Sequence, residues 1–143
     1  MLVPLLVGIL TIFINMLVQV FTVVVLIRFF ANRRKNKIEL RSLSEDSWML
    51  AFCLVVLFAG NIFQFTLWAS LFMYLGEFQD FATAFYHSTV NFASLGYGDI
   101  VMSEQWRLLG ALEAANGVLM FGLTAGTLFS IMQNMVHQHQ STH

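Results

Sequence analysis

Three long apolar runs constrain this chain more than any other feature. They extend roughly over Val3 to Phe30, Trp48 to Leu75 and Trp106 to Gln133. A bilayer core of about 30 Å takes about 20 apolar residues in a helix, so each run is long enough to cross. The first is interrupted only by uncharged polar residues such as Asn15 and Gln19. Runs one and two exceed the minimum, so they are expected to tilt or to project beyond the hydrocarbon. Composition agrees: 58% of the 143 residues are hydrophobic and 10% are charged, against about 25% charged in soluble domains. A soluble domain this small could not hide so much apolar surface. The reading is an all-α membrane protein with three transmembrane helices, multi-pass and integral to the bilayer.

The stretch between runs two and three behaves differently. Asp80 to Ala93 reads as a helix of about four turns, too short to cross. Ser94 to Ser103 contains glycines and is irregular. Irregular backbone at membrane depth is tolerated only where protein covers it or where it lines a watery path. A short helix followed by such a strand predicts a re-entrant loop.

Charge sets the expected orientation. Six of the seven Lys and Arg residues are Arg28, Arg33, Arg34, Lys35, Lys37 and Arg41, at or within the connection between runs one and two. The positive-inside rule puts that connection in the cytoplasm, and a juxtamembrane basic cluster also suits lipid head groups. The N-terminus is then outside, the re-entrant loop enters from outside, and the C-terminus is cytoplasmic in a plasma or bacterial-type inner membrane. The first run has its positive charge after the apolar residues rather than before, so it reads as a retained helix and not as a cleaved signal. The chain divides into an extra N-terminal helix (1–31), a basic connection (32–47), a two-span module (48–133) and a short tail (134–143).

Several classes are disfavoured. The net charge of −1 gives no sign of a nucleic-acid partner. The lone Cys53 allows no intrachain disulfide and reads as a small hydrophobe. His137, His139 and His143 lie in a polar tail and read as a frayed terminus rather than a metal site. No cofactor is called for, and no nucleophile–base pattern points to an enzyme. No span carries the Arg ladder of a voltage sensor, and no stretch is long enough for a nucleotide- or calcium-binding domain.

The segment Phe85-Tyr86-His87-Ser88-Thr89-Val90-Asn91-Phe92-Ala93-Ser94-Leu95-Gly96-Tyr97-Gly98-Asp99 resembles the pore loop of potassium channels, and the resemblance extends over about residues 48–133. It implies an outer helix (48–75), a pore helix (80–93), a selectivity filter (94–98) and an inner helix (106–133). By that resemblance, backbone carbonyls of Ser94, Leu95, Gly96 and Tyr97 would replace the hydration shell of K+. Gly96 and Gly98 supply the positive φ that such a strand needs. Asp99 would sit at the outer mouth, holding the filter and concentrating cations. The family usually carries Thr in place of Ser94, Val or Ile in place of Leu95, and a Trp pair where this chain has Tyr86 and His87. Those two residues would brace the filter, with His87 a hydrogen-bonded core histidine or a pH-sensitive brace. One pore loop per chain implies a homotetramer around one axis.

The third run resembles the family's inner helix through Gly117-x4-Gly122. Gly117 reads as a hinge or as a site of tight packing. Ala114, Val118, Phe121, Ala125 and Phe129 share one stripe that would line the cavity, with Phe129 as a ring closing by dewetting. Glu113, Asn116, Thr124 and Thr127 share another. Glu113 is expected behind the filter, bonded to pore-helix hydroxyls or to Asn61 and Gln64; proton sensing and a cavity-facing charge are the other readings. Thr11, Asn15, Gln19 and Thr22 suggest a packed face on the first helix, expected against span two at the periphery. The function implied is passive K+ conduction. The alternatives are a weakly selective cation channel and a silent subunit that assembles or regulates a larger complex.

Overall fold

The computed structural model describes residues 1–34 and 43–140. Four helices follow one another: α1 (Leu2–Arg34), α2 (Leu43–Tyr74), α3 (Phe81–Phe92) and α4 (Arg107–Gln140). No β-sheet forms among the described residues. Three helices are long and apolar enough to cross a membrane, over Leu2–Phe29, Ser44–Tyr74 and Arg107–His137. The protein is therefore an all-α membrane protein, as its hydropathy requires.

Helix ends follow local chemistry. Pro4 falls in the first turn of α1, where its missing N–H costs nothing. α2 starts at Leu43, five residues before the apolar run, because Glu45 and Asp46 in its first turn suit the positive helix end. It stops at a glycine. Gly76 has φ 77, its N–H donates to Met73 O at 3.0 Å, and the Glu77 N–H donates to Phe72 O at 3.0 Å. This pair of bonds is the left-handed stop that glycine favours. α4 runs on to Gln140, so the segment expected as a tail from residue 134 is helical; no Gly or Pro lies there to end it. The basic cluster Lys35, Lys37 and Arg41, and with it the sidedness read from charge, lies outside the described residues, as does His143.

Contacts fix the order of packing. A side chain at Gly8 of α1 would run into Leu112 and Leu109 of α4, and eleven residues later Gln19 donates to Thr124 Oγ1 at 3.0 Å. Both helices advance together, so α1 and α4 are parallel. Gln64 Nε2 donates to Gln19 Oε1 at 2.8 Å, while a Cβ at Gly60 would touch Thr22, so α2 runs the other way. This is the alternation three successive crossings demand. α1 thus packs against both α2 and α4, which corrects the expectation of span two alone. Asn15 and Gln19 are fully buried on its inner face.

The core is aromatic and lies around α3. Phe65, Trp68, Phe72, Phe92, Met102, Leu109 and Met120 form one buried cluster. Phe65 meets Phe92 edge-on at 4.8 Å between ring centroids. Phe92 in turn meets Phe121 at 5.6 Å and 86°.

Candidate functional site: the re-entrant helix and the strand after it

α3 is capped at both ends by its own residues. Asp80 has φ −130 and ψ 147, and its carboxylate accepts from the Thr83 N–H at 2.9 Å. Thr83, through side chain and backbone, holds the Asp80 carboxyl below its ordinary range. Ala93 ends the helix. Beyond it, the Ser94 N–H donates to Asn91 O at 2.8 Å and the Leu95 N–H to Val90 O at 2.9 Å. This is the same two-bond stop that Gly76 makes at the end of α2, here with serine at φ 57. The short helix expected from the sequence over 80–93 matches α3 together with its two caps.

Past this stop the sign of φ alternates. Ser94, Gly96 and Gly98 have φ of 57, 61 and 71, and Leu95 and Tyr97 between them do not share the positive sign. Residues 94–99 are exposed in the single chain, including Leu95 at 53% and Tyr97 at 65%. Two braces tie this segment back. Tyr86 of α3 donates its hydroxyl to Asp99 Oδ2 at 2.7 Å, and that bond holds the phenol above its ordinary range. His87 Nδ1 lies 3.1 Å from Ile100 O. A third brace was not foreseen from the sequence: both carboxylate oxygens of Glu77 accept from Ser103, one from its N–H and one from its hydroxyl, each at 2.7 Å. It joins the end of α2 to the start of α4.

Behind α3 lies a buried polar group. The Ser88 hydroxyl meets Phe65 O at 2.9 Å and the Glu113 carboxylate. Glu113 is fully buried. Asn61 and Gln64 do not share this bond; Gln64 is committed to Gln19. Asn91 is the residue that sequence reasoning passed over. Its Nδ2 lies 2.8 Å from His87 Nε2. The i, i+4 spacing of His87 and Asn91 on one short helix was the signal available.

Along α4 the remaining candidates separate. Gly117 is pressed against the end of α3: an added Cβ would overlap the Phe92 carbonyl oxygen. Phe121 is half-buried against Phe92. Gly122 has open space around it, and Val118 and Phe129 are 60% and 61% exposed. Asn116 is buried and Thr124 accepts from Gln19, so that stripe faces the other helices of the same chain. Among the described residues no group of His, Cys, Asp or Glu could hold a metal ion.

Two spanning helices joined by a short non-spanning helix and an irregular strand, both held between them, define a re-entrant-loop membrane protein. A family model described as "Ion channel" matches residues 50–134, more than half of the chain. The protein belongs to that ion channel family, and the match takes in α3, the strand after it and most of α2 and α4. Neither the curated proteins nor the solved structures give a match.

Proposed function

We propose that this ion channel protein conducts K+ passively and selectively, as a homotetramer, through the backbone of Ser94, Leu95, Gly96, Tyr97 and Gly98. One observation carries the reading: the sign of φ alternates along the strand. Peptide planes in such a strand turn the same way, gathering carbonyls on one side and N–H groups on the other. A column of carbonyl oxygens can stand in for the water around a dehydrated cation. Four strands around an axis would complete the cage, and would also cover Leu95 and Tyr97, which one chain leaves bare. Asp99, fixed by Tyr86, places negative charge at the mouth. Its side is the outside in the orientation inferred from charge, with both the N-terminus and the mouth outside a plasma or inner membrane and the C-terminus in the cytoplasm. No cofactor is required, and no step is enzymatic.

Potassium flux into proteoliposomes, with barium block and the Gly96→Ala variant, tests the reading. We expect flux that barium blocks and that Gly96→Ala reduces at least about tenfold, since alanine at positive φ costs about 1–2 kcal/mol per residue. Flux unaffected by both would remove the assignment. A weakly selective cation channel is the second reading. It is favoured by Leu95 and by Ser94, whose hydroxyl lacks the methyl that restricts threonine. Ion-substitution currents separate the two, since a potassium-to-sodium ratio near one supports the second.

A further inference from the structure

α1 and α2 approach closely where α2 carries a glycine. A Cβ at Gly60 would stand 3.3 Å from the Thr22 side chain. The missing side chain leaves a groove of about 430 Å3 between the two helices, lined by Leu17, Val18, Phe21, Thr22, Gly60 and Phe63. Leu17, Phe21 and Phe63 are each more than half exposed, so the groove opens on the outside of the chain. Both walls lie within membrane-crossing ranges, Leu2–Phe29 and Ser44–Tyr74. The medium around the groove is therefore hydrocarbon. Its chemistry suits an apolar occupant. Thr22 alone among the lining residues has a polar side chain, and its hydroxyl donates to Val18 O at 2.9 Å within α1. With that hydrogen committed, no lining side chain has a donor left for a polar ligand.

One charge continues the α1 wall. Leu17, Phe21, Val25 and Arg28 follow one another at i, i+4, i+8 and i+11, on a single stripe. Arg28 is exposed and stands about 10 Å along the axis from Phe21. The crossing range of α1 ends at the next residue, Phe29. An arginine at that depth keeps its stem among lipid tails and extends its guanidinium to the head groups. The α2 wall reaches the boundary at the same level. Phe52 meets Phe29 with ring centroids 5.3 Å apart, and Trp48, one turn further, is largely exposed, as suits a residue at the membrane–water interface. The carboxylates of Glu45 and Asp46 belong to the first turn of α2, about 10 Å beyond Phe52 along the helix.

We propose that this groove is a binding site for an anionic phospholipid, with one acyl chain lying between α1 and α2 and the phosphate group meeting Arg28. The apolar walls hold the chain but do not distinguish one lipid from another. Arg28 supplies the distinction, because a basic residue at the surface favours a negative head group. The site uses neither α3 nor the strand 94–99, so it stands or falls apart from the ion-path reading.

Tryptophan emission tests the site in vesicles of phosphatidylcholine that carry a portion of either phosphatidylglycerol or phosphatidylcholine brominated at mid-chain. Leu17→Trp and Phe63→Trp place an indole on each wall, and the emission of the parent protein is subtracted. One arginine near the head groups gives about a fivefold preference for an anionic lipid, so half-quenching is expected at about one fifth as much brominated phosphatidylglycerol as brominated phosphatidylcholine. Arg28→Gln added to either variant should remove that difference. Leu6→Trp, on the same stripe but about 16 Å from Leu17, should show no difference. Equal quenching by the two lipids at both walls would overturn the proposal, as would a preference that survives Arg28→Gln. Added emission that neither lipid quenches would mean that a neighbouring copy covers the groove, and would overturn it as well.

Discussion

Ser94 and Gly76 perform the same backbone turn with different residues. Each ends a helix with its own N–H bonded back three residues and the next N–H bonded back five. Gly76 does so without penalty, while Ser94 holds φ 57 at a cost of about 1 kcal/mol. Ser94→Gly is therefore expected to raise the unfolding free energy by about 1 kcal/mol, and Gly76→Ser to lower it by a similar amount. Thermal unfolding in detergent reads both, and equal midpoints for the two variants would contradict the account. Gly117 gives a sharper case. Alanine there would collide with the Phe92 carbonyl oxygen, so Gly117→Ala is expected to cost about 1–3 kcal/mol. Gly122→Ala and Gly126→Ala, with open space on their side, should leave the fold of the chain intact. The sequence offered Gly117 as hinge or as packing site, because a bare helix pattern cannot say what crosses it. The position of Gly117 against α3 depends on how α3 and α4 cross. The positive φ of Gly96 and Gly98 was legible because glycine adopts that conformation without penalty. Ser94 was not, since serine rarely adopts that conformation.

α1 shows what helix spacing does and does not reveal. Thr11, Asn15, Gln19 and Thr22 marked the inner face, and Asn15 and Gln19 are indeed buried. Their partners were not legible, because α2 and α4 both carry polar residues at matching depth. Gln19 uses both ends of its amide, accepting from Gln64 and donating to Thr124. Interhelical bonds of this kind contribute about 0.6 kcal/mol each and up to about 1.7. Gln19→Leu removes two and strands two partners, so a loss of about 1–3 kcal/mol is expected by unfolding in detergent. A neutral result would mean that α1 is held by its apolar contacts alone. The re-entrant helix was legible nearly to the residue, because Asp80 caps it and its length rules out a crossing. That cap has its own pH signature. The Asp80 carboxyl is held low by Thr83, so the cap is intact above the ordinary carboxylate range and is lost as the pH falls through the lowered value. Asp80→Ala should weaken α3 at neutral pH and leave its stability less sensitive to acid than that of the parent.

At the scale of the whole molecule, what surrounds the chain differs from one face to another. From Leu2 to Ile27 the outward side of α1 is apolar, with Leu6, Leu10, Phe13 and Leu17 all more than half exposed, as contact with lipid tails requires. α4 exposes another kind of surface, with Val118, Leu119 and Phe129 beside small residues at Gly122, Ala125 and Gly126. Small residues let helices approach closely, and the strand 94–99 opens on the same module. Hydropathy alone marks both faces as apolar and cannot tell lipid from a neighbouring copy. If four copies surround one axis with α4 innermost, residues low on α4 from different copies must approach one another, while the outer face of α1 must not. The native thiol does not interfere, because Cys53 is buried and burial raises the barrier to its oxidation. Under mild oxidation in dilute detergent, Phe129→Cys is therefore expected to give covalent dimers within a particle of four chains, and Leu10→Cys to stay monomeric on a denaturing gel. Cross-linking at Leu10→Cys with none at Phe129→Cys would put α1, not α4, around the axis. The path through residues 94–98 would then have no inner helix to continue into.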